Sequence, residues 1–256
     1  MGRPVALYAL IVALACAATT TEARDVRVGA RTYPEPFVVP PPHGGETNAV
    51  VVMLHGLGGG ADGWKSITQE IPFDGVRWVF PNAPSISVRL DGGAREPAWY
   101  DMTNTASSQR WDDEVGILES ADYVVSILRG LVAEGIPGSK IILGGFSQGG
   151  AVALTTALHS AGLHLAGCFS LSGYLPMHEK YYTGELRMTR TARDIPIFLA
   201  HGTVDPVIPS EFGPDTKRQL RTLGMKSVAF QSFPGLGHER REDVVRALAT
   251  FIASVL

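Results

Sequence analysis

The sequence contains few cysteines and has no excess of positive charge. Only two of its 256 residues are cysteines, Cys16 and Cys168, which excludes a framework of several disulfides. Lysine and arginine number 22 against 25 aspartate and glutamate residues, so the formal net charge is -3. This balance lacks the basic excess with which proteins bind nucleic acid or anionic membranes. We therefore expect no nucleic-acid partner, and we expect Cys168 to be a buried, inert thiol.

Metal-binding patterns and repeats are also missing. The chain has no HExxH or CxxC spacing, and histidines such as His159 and His164 do not have the spacing of metal ligands on a helix. No internal repeat of about 20–50 residues and no heptad pattern occurs, which excludes solenoids and coiled coils. We expect neither a metal nor a cofactor.

The apolar stretch at the N-terminus is too short to span a bilayer. It covers residues 5–15, whereas a membrane helix needs about 20 apolar residues. Arg3 precedes it and small residues follow it as far as Ala23, which is the arrangement of a secretory signal. We predict a signal peptide over residues 1–23 and a mature protein in the secretory pathway or outside the cell. The alternatives are an N-terminal extension that is disordered or packed on the core, and a lipid anchor at Cys16.

Short apolar runs alternate with longer amphipathic ones through the rest of the chain. Near-continuous apolarity is typical of strands buried on both faces of a parallel sheet. The six runs cover residues 49–54, 76–80, 140–143, 165–171, 195–200 and 227–233. Between and after them, apolar residues recur at helical spacing over 115–132 and 244–255. The pattern predicts an α/β fold in which helices cover both faces of a mostly parallel sheet.

Two further segments complete the predicted organisation. Residues 24–48 lead into the sheet, with an antiparallel edge strand as one interpretation, and a single domain covers residues 49–256. Residues 81–110 are rich in Pro, Gly, Ser and Asn and have no helical period. Because loops of that length in compact domains are usually functional or disordered, we predict a substrate-facing loop there.

The sequence Gly145-Phe146-Ser147-Gln148-Gly149 matches the motif G-x-S-x-G. The motif alone is a weak signal, but a predicted strand precedes it and a helix-forming run follows it. In this strand–turn–helix setting, the nucleophile elbow of α/β-hydrolases, a sharp turn exposes the serine oxygen. The glycines are required because a β-carbon would collide with the neighbouring strand or helix. We predict that Ser147 is a nucleophile; a structural serine in a glycine-rich turn is the alternative.

A serine nucleophile needs a base, and in this fold a carboxylate and then a histidine follow the serine along the chain. Asp205 and His238 each follow a predicted strand, at the carboxyl edge where such sheets place their sites. We predict His238 as the general base and Asp205 as the carboxylate that orients it. The rejected candidates are His201, expected to bond to backbone, His178, too near the serine, and Asp194, which precedes its strand.

Two backbone amides are expected to stabilise the oxyanion of the tetrahedral intermediate. One is the amide of Gln148, directly after the nucleophile. The other is the amide of Leu57, because residues 55–60 follow the first strand and resemble an HGGG-type oxyanion loop. The same glycines fit the dinucleotide fingerprint G-x-G-x-x-G/A, but a nucleotide-binding protein would leave the serine elbow and its partners unexplained.

Together these motifs resemble, in order and over roughly residues 49–255, the acyl-protein thioesterases and their carboxylesterase and lysophospholipase relatives. The matching segments are residues 54–58, 81–84, 99–101, 113–117, 135–137, 144–150, 171–176, 201–206 and 237–238. The resemblance implies an α/β-hydrolase fold and cleavage of acyl thioesters, notably palmitoyl-cysteine in proteins, and of carboxylic esters. It also implies that Leu57 and the segments around Trp99 and Leu175 border an acyl channel.

Some features leave alternatives open. Members of that family are mostly cytoplasmic, so the cytoplasm is the alternative to a secreted location. Trp99 and Leu175 are equally compatible with ordinary core positions. The expected substrates are acylated proteins or lipid and small esters. A general carboxylesterase or lysophospholipase is the main alternative function, and a peptidase would share the same catalytic residues. The sequence predicts no stable membrane span and leaves the oligomeric state open.

Overall fold

A central sheet of seven strands organises this computed structural model, which describes residues 25–104, 113–160 and 162–256. The strands are β1 (Val26–Val28), β2 (Arg31–Tyr33), β3 (Phe37–Val39), β4 (Ala49–Leu54), β5 (Val76–Phe80), β6 (Ser85–Val88), β7 (Ala94–Pro97), β8 (Ile141–Phe146), β9 (Gly167–Leu171), β10 (Ile197–Gly202) and β11 (Val228–Phe233). The α-helices are α1 (Ile67–Glu70), α2 (Glu114–Ala133), α3 (Gln148–His159), α4 (His178–Thr183), α5 (Phe212–Thr222) and α6 (Glu242–Val255).

The order of strands in the sheet is β11-β10-β9-β8-β4-β5-β3. All neighbours are parallel except β3, which pairs antiparallel with β5 at one edge. The predicted α/β architecture with a mostly parallel sheet is confirmed. Two of the predicted strands, β4 and β5, have the predicted bounds, and β8 extends three residues beyond the predicted end, as far as the nucleophile motif.

The sheet is buried on both faces because its strands carry apolar residues at consecutive positions. Every residue of β4 is buried. Val50, Val52 and Leu54 pack in the cluster that contains the apolar faces of α2 and α3. Val51 and Met53 point to the opposite face and pack in the cluster that contains α6. Because successive side chains of a strand point to opposite faces of the sheet, one apolar run contributes to both cores.

Helix α2 spans the predicted period with one additional residue at each end. Its N-terminus is capped by the Asp113 carboxylate, which accepts a hydrogen bond from the Gly116 amide at 2.9 Å. After Ala133 the chain turns at Gly135, where φ is 98°, a value that glycine adopts without strain.

The segments flagged as irregular contain more structure than their sequences predicted. Residues 81–110 include the antiparallel hairpin β6–β7, whose turn is made by Gly92 and Gly93 at positive φ. The predicted loop therefore contains a hairpin, its substrate-facing role stays a prediction, and residues 105–112 lie outside the described residues. Within 24–48, β1 and β2 form a second hairpin and β3 is the edge strand.

The predicted signal peptide, residues 1–23, and Cys16 lie outside the described residues. Over the part of the chain that is described, no helix combines the length and apolarity needed to cross a membrane.

Candidate active site

Ser147 occupies a sharp turn between the last residue of β8 and the first residue of α3. Its backbone has φ 53° and ψ -121°, a conformation rare for a residue with a side chain. The turn is held by its own backbone, because the Ser147 amide donates to the Leu171 carbonyl at 2.8 Å. A β-carbon at Gly145 would lie 2.6 Å from the Gly149 carbonyl oxygen, and one at Gly149 would lie 2.6 Å from the Leu54 carbonyl oxygen. The two glycines are therefore required by contact with backbone.

The structure brings the three predicted catalytic side chains together. His238 Nε2 lies 2.9 Å from Ser147 Oγ, and His238 Nδ1 lies 2.7 Å from Asp205 Oδ2. His238 follows β11 and Asp205 follows β10, so both reach the site from the carboxyl edge of the sheet. The His238 ring packs against Phe146, with ring centroids 4.7 Å apart. Hydrogen bonds at both ring nitrogens and this contact fix the orientation of the imidazole.

Asp205 is held as a carboxylate by several donors. Its Oδ1 accepts the amides of Val207 at 2.9 Å and Ile208 at 2.8 Å. Burial by itself would raise the pKa of Asp205, but the nearby His201 ring and the hydrogen bonds from His238 and the Ile208 amide outweigh it and hold the pKa well below its ordinary value. The side chain is therefore ionised at neutral pH although it is completely buried.

The rejected candidates occupy other positions. His201, at the end of β10, donates from Nε2 to the Ile208 carbonyl at 2.9 Å, as its strand-end position predicted, and lies 3.4 Å from Asp205 Oδ2. Asp194 precedes β10 and forms an ion pair with Lys226 at 2.5 Å. His178 begins α4, and its ring packs on a neighbouring tyrosine.

The predicted oxyanion donors lie on either side of the nucleophile turn. In the loop after β4, Gly58 donates to the Pro97 carbonyl at 2.9 Å and Gly59 donates to the Gly56 carbonyl at 3.1 Å. The Leu57 amide, which precedes both, has no acceptor among the described residues. The Gln148 amide opens α3, where no preceding turn supplies an acceptor. Both amides are thus available to a negatively charged oxygen.

His55 stabilises the oxyanion loop from inside the protein. Its Nδ1 donates to the Gly56 carbonyl at 2.7 Å, and its Nε2 accepts the Ala83 amide at 3.0 Å. Burial lowers the pKa of His55 despite the opposing effect of the Gly56 carbonyl, so the ring is neutral at physiological pH. A neutral ring with one donor and one acceptor satisfies both partners, which is why this histidine can be buried next to a site for negative charge.

Trp99 and Leu175, predicted to contact substrate, are buried with 0% and 2% of their surface exposed. In this conformation neither offers surface to an acyl chain. Instead, the Trp99 indole donates to the His55 carbonyl at 2.8 Å and the Trp99 amide donates to Gln148 Oε1 at 2.8 Å. Trp99 therefore links the two segments that carry the predicted oxyanion donors, and sequence reasoning missed these contacts. The sequence showed the motif around Trp99 but did not indicate which residues Trp99 contacts.

In the described part of the chain, His, Cys, Asp and Glu side chains form no group of three that could hold a metal ion. A serine at a strained strand–helix turn, paired with a histidine and an aspartate at the carboxyl edge of a parallel sheet, defines the serine hydrolases of the α/β-hydrolase fold.

Within that class, the chain belongs to the phospholipase/carboxylesterase family, whose model matches residues 35–256. It is 34% identical over 226 residues to acyl-protein thioesterase 1 of Candida albicans, covering 84% of this chain and 96% of the relative. It is 35% identical over 233 residues to acyl-protein thioesterase 1 of Emericella nidulans, with 86% and 95% of the two chains covered.

The structural comparison agrees with the sequence comparison. The crystal structure of Zea mays acyl-protein thioesterase 2 superposes with a TM-score of 0.76 and 29% identity, covering 86% of this chain and 97% of that chain. The predicted resemblance, the α/β-hydrolase fold and the assignment to the serine ester hydrolases are thereby confirmed.

Proposed function

We propose that this enzyme hydrolyses acyl thioesters and carboxylic esters through an acyl-enzyme on Ser147, and that palmitoylated proteins are its main substrates. The observation that carries the proposal is the continuous relay from Ser147 Oγ to His238 to Asp205, with distances of 2.9 and 2.7 Å. These are hydrogen-bond distances, so a proton can pass from the serine to the imidazole as the oxygen attacks.

In the first half-reaction Ser147 Oγ bonds to the acyl carbon while His238 Nε2 takes its proton. The carbonyl oxygen becomes an oxyanion and accepts hydrogen bonds from the Leu57 and Gln148 amides. Collapse of this intermediate breaks the bond to sulfur or oxygen, and His238 returns the proton to the leaving thiolate or alkoxide. Asp205 remains ionised throughout and stabilises the imidazolium, in agreement with its lowered pKa.

In the second half-reaction water replaces the leaving group. His238 removes a proton from the water as its oxygen attacks the acyl-enzyme carbonyl, and the same two amides hold the second oxyanion. Collapse breaks the bond to Ser147 Oγ, which takes the proton back from His238. The products are a free carboxylic acid and the original serine, and no metal or organic cofactor takes part.

Preference for thioesters is supported by the relatives named acyl-protein thioesterase and by leaving-group chemistry. A cysteine thiol has a pKa near about 8.5, so thiolate leaves more readily than an alkoxide, and an amine must first be protonated. A carboxylesterase or lysophospholipase acting on small or lipid esters is the second candidate, supported by the family description.

The experiment that separates these functions compares matched substrates. The purified enzyme is assayed with a thioester, an oxyester and an amide that carry the same acyl chain, for acyl lengths from short to palmitoyl. The proposal predicts the highest kcat/KM for long-chain thioesters, lower values for oxyesters and negligible values for amides. Higher kcat/KM for short oxyesters would support a general carboxylesterase, and efficient amide cleavage would support a peptidase.

We also propose that residues 1–23 are removed and that the mature enzyme works in the secretory pathway or outside the cell. The support is the charged start, the apolar middle and the small residues at the end of this segment. N-terminal sequencing of protein from its own cells tests this proposal. A first residue between about 16 and 26 would support it. An intact Met1 or Gly2 on cytosolic enzyme would favour the cytoplasmic alternative.

A further inference from the structure

The hairpin β1–β2 lies before residue 35, where the match to the family model begins, yet one of its side chains reaches the neighbourhood of the oxyanion site. Arg31 extends from β2 with only 15% of its side chain exposed. Its Nη1 donates to the backbone carbonyl of Trp99 at 2.6 Å. The acceptor is therefore a backbone atom of Trp99, whose other hydrogen bonds reach both segments that carry the predicted oxyanion donors.

The same guanidinium binds two carboxylates at the start of α2. Arg31 Nη2 lies 3.0 Å from Asp113 Oδ2, and Arg31 Nε lies 3.1 Å from Glu119 Oε2. Asp113 in turn caps the helix and accepts the Asp101 amide at 3.1 Å. Because guanidinium is planar with donors in fixed directions, these contacts define its position more narrowly than one ammonium could. One side chain thus joins the hairpin, the loop at Trp99 and the N-terminus of α2.

From Trp99 the contacts continue to both predicted oxyanion donors. The Trp99 amide and the Tyr100 carbonyl each bond to the Gln148 side chain at 2.8 Å, and the Trp99 indole bonds to the His55 carbonyl at 2.8 Å. Gln148 carries one donor on its own backbone, and His55 lies two residues before Leu57. A displacement of the Trp99 backbone therefore alters the positions of both amides.

We propose that Arg31 is a positioning residue for the oxyanion site, acting through the main chain of Trp99. This inference rests on the proposed hydrolase function. Oxyanion donors stabilise the transition state more than the ground state, so their misplacement lowers kcat with little change in substrate binding. Removal of the guanidinium should therefore reduce kcat, whereas the Michaelis constant remains close to that of the wild type.

The hairpin has separate apolar contacts that should keep it docked when Arg31 is replaced. Tyr33 is fully buried and stacks on Tyr123 with ring centroids 4.0 Å apart, and Val26 is also buried in the core. The test variant is Arg31→Met, which keeps the length of the aliphatic stem. If this variant fails to fold, Arg31→Lys replaces it, because a single ammonium cannot make all three contacts.

A matched control is available in another half-buried ion pair. Arg77 on β5 pairs with Glu134 at 2.7 Å, and both side chains are 19% exposed. Arg77 aligns with Val50 near the start of β4, away from the carboxyl edge that carries Ser147. Arg31→Met should lower kcat about tenfold with KM within about twofold, and Arg77→Met should change neither. An unchanged kcat in Arg31→Met, or an equal loss in Arg77→Met, would overturn the proposal.

A double variant tests whether the effect passes through Trp99. Gln148→Ala removes both side-chain bonds to the 99–100 backbone but keeps the backbone amide. The Arg31→Met change should then reduce kcat much less in the Gln148→Ala background than in the wild type. Fully additive losses would reject the route through the Gln148 side chain, since Gln148→Ala leaves only the indole bond to the His55 carbonyl.

Hydrogen exchange provides a readout that does not depend on activity. The Trp99 amide should exchange faster in Arg31→Met than in the wild type or Arg77→Met, because the carbonyl of the same residue has lost its bond to Arg31 and keeps only the bond from the Ser120 hydroxyl. Unchanged exchange would reject the positioning role even in active enzyme. If instead the wild type cleaves none of the esters but Arg31→Met accelerates exchange at Trp99, the proposed function fails and the structural link stands.

Discussion

Asp205 combines complete burial with a full set of hydrogen-bond donors. An unpaired carboxylate in such a place would be protonated, since burial penalises its charged form. Here two backbone amides bind one oxygen and His238 binds the other. The arrangement leaves the imidazole with its proton on Nδ1 and its lone pair on Nε2, directed at Ser147. The tautomer of the predicted base His238 is thus set by the buried Asp205 carboxylate.

Replacing Asp205 with asparagine should lower kcat by about 10⁴-fold, because the asparagine amide can donate to His238 and favour the wrong tautomer. Steady-state kinetics on a simple ester measure the loss. Asp194→Asn is the matched control, since Asp194 pairs with Lys226 on the surface and should be dispensable. A nearly normal Asp205→Asn enzyme beside an inactive Asp194→Asn enzyme would reverse the assignment of the carboxylate.

The pH dependence of activity follows from the lowered pKa of Asp205. Because the pKa of Asp205 is lowered, its carboxylate stays ionised even below the ordinary value of about 3.9, so it does not titrate between pH 4 and neutrality. In that range Asp205 therefore adds no protonation step to any loss of activity. A plot of log kcat/KM against pH should therefore have an acid limb of slope one. A slope of two would show that a second essential group is protonated.

At the scale of secondary structure, the turn between β8 and α3 is closely constrained by neighbouring backbone. Ser147 adopts a backbone conformation that costs on the order of 1–3 kcal/mol, and its neighbours must approach other backbone closely. The free energy that compensates comes from the apolar strands and helices on either side, which are buried along nearly their whole length. The backbone strain is confined to Ser147, whereas the burial that compensates for it is spread over β8 and α3.

Gly149→Ala should destabilise the protein by about 1–3 kcal/mol, because the new methyl group would meet the Leu54 carbonyl at 2.6 Å and backbone can yield little. Urea unfolding gives the change in the free energy of unfolding. Gly63→Ala serves as the control, since a β-carbon there meets nothing within 4 Å. Equal stability of Gly149→Ala and the wild type would contradict the close contact.

The elements differed in how well the sequence predicted them. β4, β5 and α2 were predicted nearly to the residue, because their apolar patterns extend over whole elements. The β6–β7 hairpin was not predicted, since its strands are mostly exposed and its turn depends on positive φ at Gly92 and Gly93. Apolar periodicity arises from burial, so strands that are mostly exposed show little periodicity and are hard to predict from the sequence.

Some residues of the candidate site could likewise be predicted from the sequence, and others could not. Ser147, Asp205 and His238 could be proposed because each follows a strand, and chain order assigned their roles. The contacts of Arg31 could not be predicted from the sequence, because its partners Trp99 and Asp113 lie 68 and 82 residues away along the chain. A single sequence shows which residues are present but not which distant carbonyl an arginine meets.

At the scale of the whole molecule, stability comes from the two cores and not from disulfides. The only cysteine in the described residues, Cys168, is fully buried on β9 as the sequence predicted, and burial raises the pKa of its thiol. The native protein should react with thiol reagents very slowly at this residue, and the urea-denatured protein rapidly. An aromatic disulfide reagent gives both rates, and fast native labelling of Cys168 would contradict its burial.

The central claim is that the fold presents Ser147 as the nucleophile of the enzyme. Labelling with a fluorophosphonate, followed by mass spectrometric mapping of the modified peptide, tests it most directly. The account predicts one label per chain, at Ser147, with complete loss of esterase activity, and no label on a folded Ser147→Ala variant. A label at another residue of the wild type, or undiminished hydrolysis by Ser147→Ala, would contradict it.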